Sequence, residues 1–350
     1  MKILVGLSGG VDSSIAAYLL KEQGHDVSGV FMQNWEDDNN DKYCSIKQDI
    51  IDAVAVADKL NIDINVVNFA KEYKERVFQY FLSEYANFRT PNPDVFCNSE
   101  IKFKCFLDYA LQSGADGIAT GHYVGKVTCD NDQFLCKAHD TNKDQSYFLY
   151  RLNQHQIKHS IFPLSDISKP EVRSIAKKLN LSTANKKDST GICFIGERPF
   201  REFLQSYFTN TQGPIINPDG KIIGTHIGLL FYTIGQRKGI GIGGDGEAWF
   251  VANKDILTNS LIVVQGHNHP LLYSNYLYAH HLSFADGIVP TSGEYTVKTR
   301  YRMSDVPAYI EKLDEDNIKV SFHSPQWAIT PGQSVVLYKH NICIGGGIIQ

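Results

Sequence analysis

Three sets of residues in this 350-residue chain have types and spacing suited to chemistry. The first is Gly6-Leu7-Ser8-Gly9-Gly10-Val11-Asp12-Ser13-Ser14 near the N-terminus. Glycines let backbone N–H groups turn towards an anion without Cβ obstruction, and a helix starting just after them adds free donors and partial positive charge. The run lacks the lysine of a Walker A loop, so a different phosphate cradle is implied. Asp12 beside phosphates would need Mg²⁺ to offset charge repulsion, or would serve the helix end. The second set is a pair of cysteines. Cys97 follows Thr90-Pro-Asn-Pro-Asp94, just ahead of an expected helix whose N-terminus would favour thiolate; Cys193 lies in Asp188-Ser-Thr-Gly-Ile-Cys193, near Lys186, Lys187 and Arg198. Cys44, Cys105, Cys129, Cys136 and Cys343 lack such settings and read as structural. The third set is Asp94, an acid/base candidate or a helix cap, and His122, which by itself reads as a structural histidine after a strand.

The elements that would position these residues alternate. Ile3–Val5 reads as a buried strand, Val11, Ile15, Ala16, Leu19 and Leu20 as a helix stopped near Gly24, and Val27–Phe31 as a strand. A second unit follows, with a helix through Ile46, Ile50, Val54 and Ala57 and a strand at Ile64–Phe69. Trp35–Asp41 reads as a polar loop between the two. Helices are expected near 71–88 and 99–112, a strand at Asp116–Thr120, and a capped helix from Ser168 to about Lys178. Alternation of this kind predicts an α/β fold, a doubly wound parallel sheet carrying the phosphate loop. After about residue 205 turns multiply and short strand-like runs appear, including Tyr295–Tyr301, Ile318–Phe322, Ser334–Tyr338 and Ile342–Ile349. The expected domains are 1–205 (carrying the phosphate loop), 206–270 (β-rich) and 271–350 (a β-barrel). Gly239-Ile-Gly-Ile-Gly-Gly244 matches G-x-G-x-x-G, but no helix is expected after it, so it reads as a loop rather than a dinucleotide site.

Composition narrows the class. Hydrophobic residues are 43% and charged residues 21%, as in a packed globular protein. No apolar run reaches the roughly 18 residues that span a bilayer, no signal-peptide pattern opens the chain, and seven cysteines without C-x-x-C argue against a disulfide scaffold; a cytoplasmic location is expected. The net charge of −4 is uneven: residues 1–60 carry −5, while residues 151–240 carry +7. Binding of a polyanion follows the local field rather than the total. Lys298, Arg300 and Arg302 alternate and are expected to line one side of a strand, so they and the basic residues of 151–240 should share a face with the phosphate loop.

Taken together, Gly6–Ser14, Asn92-Pro93-Asp94 before Cys97, Ala119-Thr-Gly-His-Tyr123, Lys143-Asp-Gln-Ser-Tyr147, Asp188–Cys193, Tyr232–Gly239 and Pro331-Gly-Gln333 resemble the bacterial tRNA-specific 2-thiouridylases, one of the pyrophosphate-loop ATPase families. The resemblance covers nearly the whole chain. It implies ATP-dependent adenylation of the C2 carbonyl of wobble uridine 34 in tRNAs for Lys, Glu and Gln, then sulfur transfer from a persulfide on Cys193. Cys97 would close a transient disulfide with Cys193, and Asp94 would act near the base. ATP would contact Gly6 to Ser13, Met32 and Gly121, with Mg²⁺ held through the pyrophosphate. The flipped base and its tRNA would meet Asn92, Pro93, Asp94, His122, Lys143, Asp144, Gln145, Tyr301, Arg302 and Gln333. The implied partners are the tRNA anticodon loop and a sulfur-relay protein or cysteine desulfurase, with the enzyme a monomer. The competing reading is a pyrophosphate-loop ligase or amidotransferase acting on a small-molecule carbonyl, which would need the loop but neither cysteine. A tRNA-binding protein without catalysis is a third.

Overall fold

The computed structural model describes residues 1–36, 46–188 and 199–350. Cys44, Cys193, Arg198 and most of the expected polar loop therefore lie outside the described residues.

Strand β1 (Lys2–Gly6) is followed by helix α1 (Val11–Glu22), β2 (Asp26–Gln33), helix α2 (Ile46–Leu60) and β3 (Ile64–Asn68). Short strands β4 (Gly117–Ala119) and β7 (Ser160–Ile161) complete a parallel sheet of order β3-β2-β1-β4-β7 among the described residues. Its central strand β1 is apolar at nearly every position, because helices cover both faces. Val5, Leu7, Ala17, Leu20, Ala53 and Ala57 pack on one side, and Leu4, Val30, Phe103 and Phe106 on the other. The chain reverses at the carboxyl ends of β1 and β4, which lie side by side while their connections leave in opposite directions. An α/β sheet opens its binding crevice at such a point.

The helix expected at 99–112 begins six residues earlier. Pro93 occupies its first turn, and one continuous helical stretch runs to Gln112, with a wide-turn π segment over Cys97–Cys105. Cys97 therefore sits one turn inside the helix rather than ahead of it, and it is buried.

Strands β5 (Gly125–Cys129) and β6 (Asp132–Cys136) form a hairpin that the sequence reading missed. In the middle region β8 (Gly213–Ile216), β9 (Ile222–His226), β10 (Trp249–Asp255) and β11 (Ser260–Gln265) make a sheet of order β10-β11-β8-β9. Beyond it, β12 (Tyr273–Phe284), β13 (Gly293–Lys298), β14 (Val306–Lys312), β15 (Ile318–Trp327), β16 (Ser334–Lys339) and β17 (Ile342–Ile349) close into a barrel through β12–β17 pairing. The early hairpin joins this barrel, with Ile342 opposite Cys136 and Cys343 opposite Leu135. Gly239–Gly244 forms an irregular loop with no helix after it.

One expectation about the barrel needs correcting. Strand β13 ends at Lys298, so Lys298, Arg300 and Arg302 do not share a strand face. Lys298 is buried and pairs with Asp144 (3.3 Å), while one Arg300 nitrogen donates to the carbonyls of Ile234 and Ala328 and to Thr330 Oγ1. Alternation fails because the chain turns away at residue 299, and these two cations fasten the barrel to its neighbours. Only Arg302 is exposed. Breaking a buried pair by removing one partner leaves an uncompensated charge. Lys298→Met is expected to lower unfolding free energy by about 3–5 kcal/mol, read from the denaturant midpoint.

Candidate active site

The loop Leu7–Gly10 links the end of β1 to α1. Leu7 N–H donates to Val30 O, and Gly9 adopts φ +71°, a conformation that glycine tolerates at no steric cost. Gly9 also has no room for a side chain, because a Cβ there would strike the backbone of Asp49. Gly10 caps α1 without any side-chain acceptor, so the first-turn amides stay available to a ligand. The hydroxyls organise the loop: Ser13 Oγ accepts from Ser8 N–H (3.1 Å) and donates to Gly10 O (3.2 Å), and Ser14 Oγ donates to Gly10 O (2.8 Å).

Gly121 faces this turn from the end of β4. A Cβ on it would lie 2.6 Å from Ser13 N and 2.7 Å from Asp12 C, so only glycine admits this approach. Met32 closes the other side, with its methyl against Gly6. Met32 and Gly121 thus flank the glycine turn at the crevice, while the Leu7 and Val11 side chains are buried in the core.

Asp12 does not stand alone beside this surface. Both its oxygens lie 2.7 Å from Lys169 Nζ, and Tyr123 Oη donates to Oδ1 (2.8 Å). Lys169 also reaches Asp188 (2.8 Å), which receives Lys143 (2.8 Å) and Arg173 (2.9 Å) as well. Burial pushes the Asp188 carboxyl up, but hydrogen bonds and charge from Lys143 and Lys169 outweigh it and hold it down at about 2. Lys186 donates to Gly9 O (3.0 Å) and pairs with Asp49 and Asp52 of α2, bracing the glycine turn. Lys169, Arg173 and Lys186 come from the +7 segment, so part of that charge does converge on the phosphate loop. Of Ser168–Glu171 the sequence reading used only the capping box, in which Ser168 N–H and Oγ donate to Glu171. Lys169 itself was missed; the signal available was a lysine at the first turn of a capped helix.

A second cluster surrounds Asn92–Cys97. Burial raises the Asp94 carboxyl above its ordinary range, and the charge of Lys102 only partly offsets this, so Asp94 holds a proton more readily than an exposed carboxylate. Burial, assisted by Lys102, holds His122 well below the usual imidazole range, so it is neutral at pH 7. Its ring contacts Phe103 on the Cys97 helix (5.7 Å between centroids), and its Nδ1 lies 2.8 Å from Thr120 Oγ1. The same helix reaches the phosphate loop through Phe106, which lies against Gly6. Phe106 follows Cys97 by nine positions on this continuous helical stretch.

The remaining expected contacts divide. Gln145 exchanges hydrogen bonds with the backbone of Tyr123 (2.8 and 2.9 Å), bracing the Gly121–Tyr123 turn. Asp144 is buried and receives Ser146 N–H and Oγ, Ala138 N–H and Lys298, so its carboxylate is spent inside the protein. Gln333 Nε2 donates to Thr90 O (2.8 Å) and Pro91 O (3.3 Å), and Thr90 N–H donates to Pro331 O (2.9 Å). The barrel therefore grips the turn that presents Asn92, Pro93 and Asp94. Tyr301 packs on Phe148 (4.4 Å between centroids), half-buried beside exposed Arg302. Cys105 and Cys136 are pushed up by burial, in keeping with structural thiols.

An open parallel sheet with a glycine turn at its crevice, followed by a small β-rich unit and a closed barrel, defines the pyrophosphate-loop class with two appended β modules. Three sequence families cover the chain: residues 1–197 match the tRNA methyl transferase HUP domain, 201–265 the tRNA methyl transferase PRC-barrel domain, and 274–349 the aminomethyltransferase beta-barrel domain. The tRNA-specific 2-thiouridylase MnmA of Neisseria meningitidis (strain FAM18) is 63% identical over 99% of this chain and 95% of its own length. The same-named protein of Chromobacterium violaceum is 61% identical over 100% of this chain and 92% of its own. The chain belongs to the tRNA-specific 2-thiouridylase family. A solved U34-tRNA thiolase of Methanococcus maripaludis aligns at 23% identity and a TM-score of 0.36, over 59% of this chain and 64% of that one, a likeness too weak to bear on the argument.

The Gly121 contact gives a direct check. Gly121→Ala is expected to push the α1 N-terminus away, costing about 1–3 kcal/mol as overpacking and weakening polyphosphate binding at least ten-fold, measured by calorimetric titration with inorganic pyrophosphate.

Proposed function

We propose that this protein is a tRNA-uridine 2-sulfurtransferase that uses ATP to thiolate wobble uridine 34 in tRNAs for Lys, Glu and Gln. The observation that carries the reading is near full-length identity with 2-thiouridylases. The glycine turn supports it, because its open amides suit a polyphosphate.

Replacing a carbonyl oxygen by sulfur needs a better leaving group than oxide. The uridine O2 attacks the α-phosphorus of ATP, pyrophosphate leaves, and O2 becomes part of an adenylate. The Leu7–Ser13 amides and hydroxyls, together with Lys169, stabilise the charge that collects on the departing pyrophosphate. Asp12 suits Mg²⁺ as a single carboxylate ligand, because that ion takes its other ligands from phosphates and water. The ion would supply charge neutralisation, in exchange for the present Lys169 contact.

Cys193 carries the sulfur as a persulfide received from a relay protein or desulfurase. The terminal sulfur attacks C2, Cys97 thiolate attacks Cys193 Sγ to break the S–S bond, and collapse at C2 expels AMP. The products are 2-thiouridine and a Cys97–Cys193 disulfide, which an external thiol must reduce before the next cycle. Asp94, with its raised carboxyl, exchanges the proton at the base. Asn92 and Pro93 shape the base pocket. His122, Lys143, Gln145, Tyr301 and Arg302 offer polar and aromatic contacts to an extruded nucleotide, while Asp144 and Gln333 hold the loops that carry them. The enzyme acts as a monomer in the cytoplasm; among the described residues no helix is long and apolar enough to cross a membrane.

Cys97→Ser and Cys193→Ser should each abolish 2-thiouridine formation while tRNA-dependent pyrophosphate release continues. Nucleoside mass spectrometry and a pyrophosphate assay read the two halves separately. Full thiolation by either variant would remove that cysteine from the mechanism.

A further inference from the structure

The cations beside the phosphate loop already have an anion. Asp188 Oδ1 takes Lys169 (2.8 Å) and Arg173 (2.9 Å), and Oδ2 takes Lys143 (2.8 Å). These cations, with Lys177 and Asp140, line an open cavity of about 660 Å³ next to the loop. Lys169 is the shared member, since the same ammonium holds Asp12 at the first turn of α1. A polyphosphate arriving at that turn meets Lys169 with several negative charges, where Asp188 offers one.

We infer that Asp188 is a positioning residue: an internal counter-anion that neutralises Lys143, Lys169 and Arg173 until a polyphosphate occupies the loop, and then yields Lys169 to it. The inference rests on the function proposed above. Two features of the chain give the exchange a mechanical result. Arg173 also donates to the carbonyls of Ala184 (2.9 Å) and Lys186 (3.1 Å), and Lys186 is fixed to Gly9 O and α2. The backbone thus stays anchored up to residue 186 whether or not Asp188 is paired. Asp188 lies five residues before Cys193 in the sequence, and five residues reach at most about 17–18 Å when extended. Its ion pairs therefore fix the point from which the chain leads on to Cys193, and nucleotide occupancy shifts that point.

The exchange predicts opposite effects on binding and on turnover. Removing the competing carboxylate raises the fraction of protein whose cations are free, so apparent affinity for polyphosphate rises by the inverse of that fraction. In full-length Asp188→Asn, the ATP dissociation constant should fall about five-fold. The single-turnover rate of tRNA thiolation at saturating ATP should fall about ten-fold or more, as for a misplaced reacting group. Asp188→Glu restores the charge and should return ATP affinity towards wild type with part of the thiolation rate. A residue with a merely structural role would weaken both readouts together. ATP affinity that is unchanged or weakened in Asp188→Asn, or thiolation that is unimpaired at saturating ATP, overturns the inference. Wild-type protein that binds ATP yet forms no 2-thiouridine would instead remove the functional reading, and the ATP-affinity arm would still decide the role of Asp188.

Discussion

The architecture turns on one close approach, the contact of Gly121 with the first turn of α1. The amides of that turn are left without capping acceptors, which is unfavourable unless a ligand or water takes them. Presenting them usefully requires a shallow crevice whose opposite wall is backbone rather than side chain. Adjacent strands β1 and β4 bring the two walls together, and glycine at residues 6, 9 and 121 keeps them thin. Lys169 and Lys186 reach the turn from the later part of the chain, and carboxylates at 12, 49, 52 and 188 pair with them.

The second cluster depends on the rest of the chain. The turn at Thr90–Asn92 has no sheet of its own to lean on, so it is gripped from two sides. Thr233 and Lys254 reach it from the middle region, with Lys254 Nζ on Phe88 O and the Thr90 and Thr233 hydroxyls 3.2 Å apart, and Pro331 and Gln333 reach it from the barrel. Gly332 permits the barrel's approach, because a Cβ there would lie 2.9 Å from Thr90 N. The two β modules thus help to hold the Asn92–Cys97 cluster in place. Burial lowers the Lys254 ammonium to about 7.

The α/β half was legible because its signals are local. Continuous apolar runs, helical spacing and a glycine turn between them placed β1, α1, β2, α2 and β3 within two or three residues. The early start of the Cys97 helix was not legible, because Thr90-Pro-Asn-Pro reads as a turn until Pro93 is seen at a first helical turn, and a π segment has no periodic signature of its own. The inward turn of Lys298 and Arg300 was hidden for a different reason. Strand alternation predicts a face only while the strand lasts, and the partners that end it, Asp144 and the Ile234 carbonyl, are distant in sequence. The ion-pair network linking Asp12, Lys169 and Asp188 was equally invisible, since Asp12 lies more than 150 residues from the other two. Motif resemblance found the residues of the loop and the second cluster but could not separate those that face a ligand from those, like Asp144 and Gln333, that hold the frame.

The hairpin of β5 and β6 carries a consequence for how the molecule is made. It hydrogen-bonds to the last strand of the chain, more than 200 residues later, through Leu135 and Cys136. During synthesis the α/β half emerges first, and the outer edge of β6 then has no partner until Ile342 and Cys343 leave the ribosome. Exposed strand edges recruit other strands, and pairings this distant in sequence form slowly. The end of the chain is therefore the element that seals the beginning, and a nascent or truncated molecule lacking its final strand presents an open edge to every neighbour it meets.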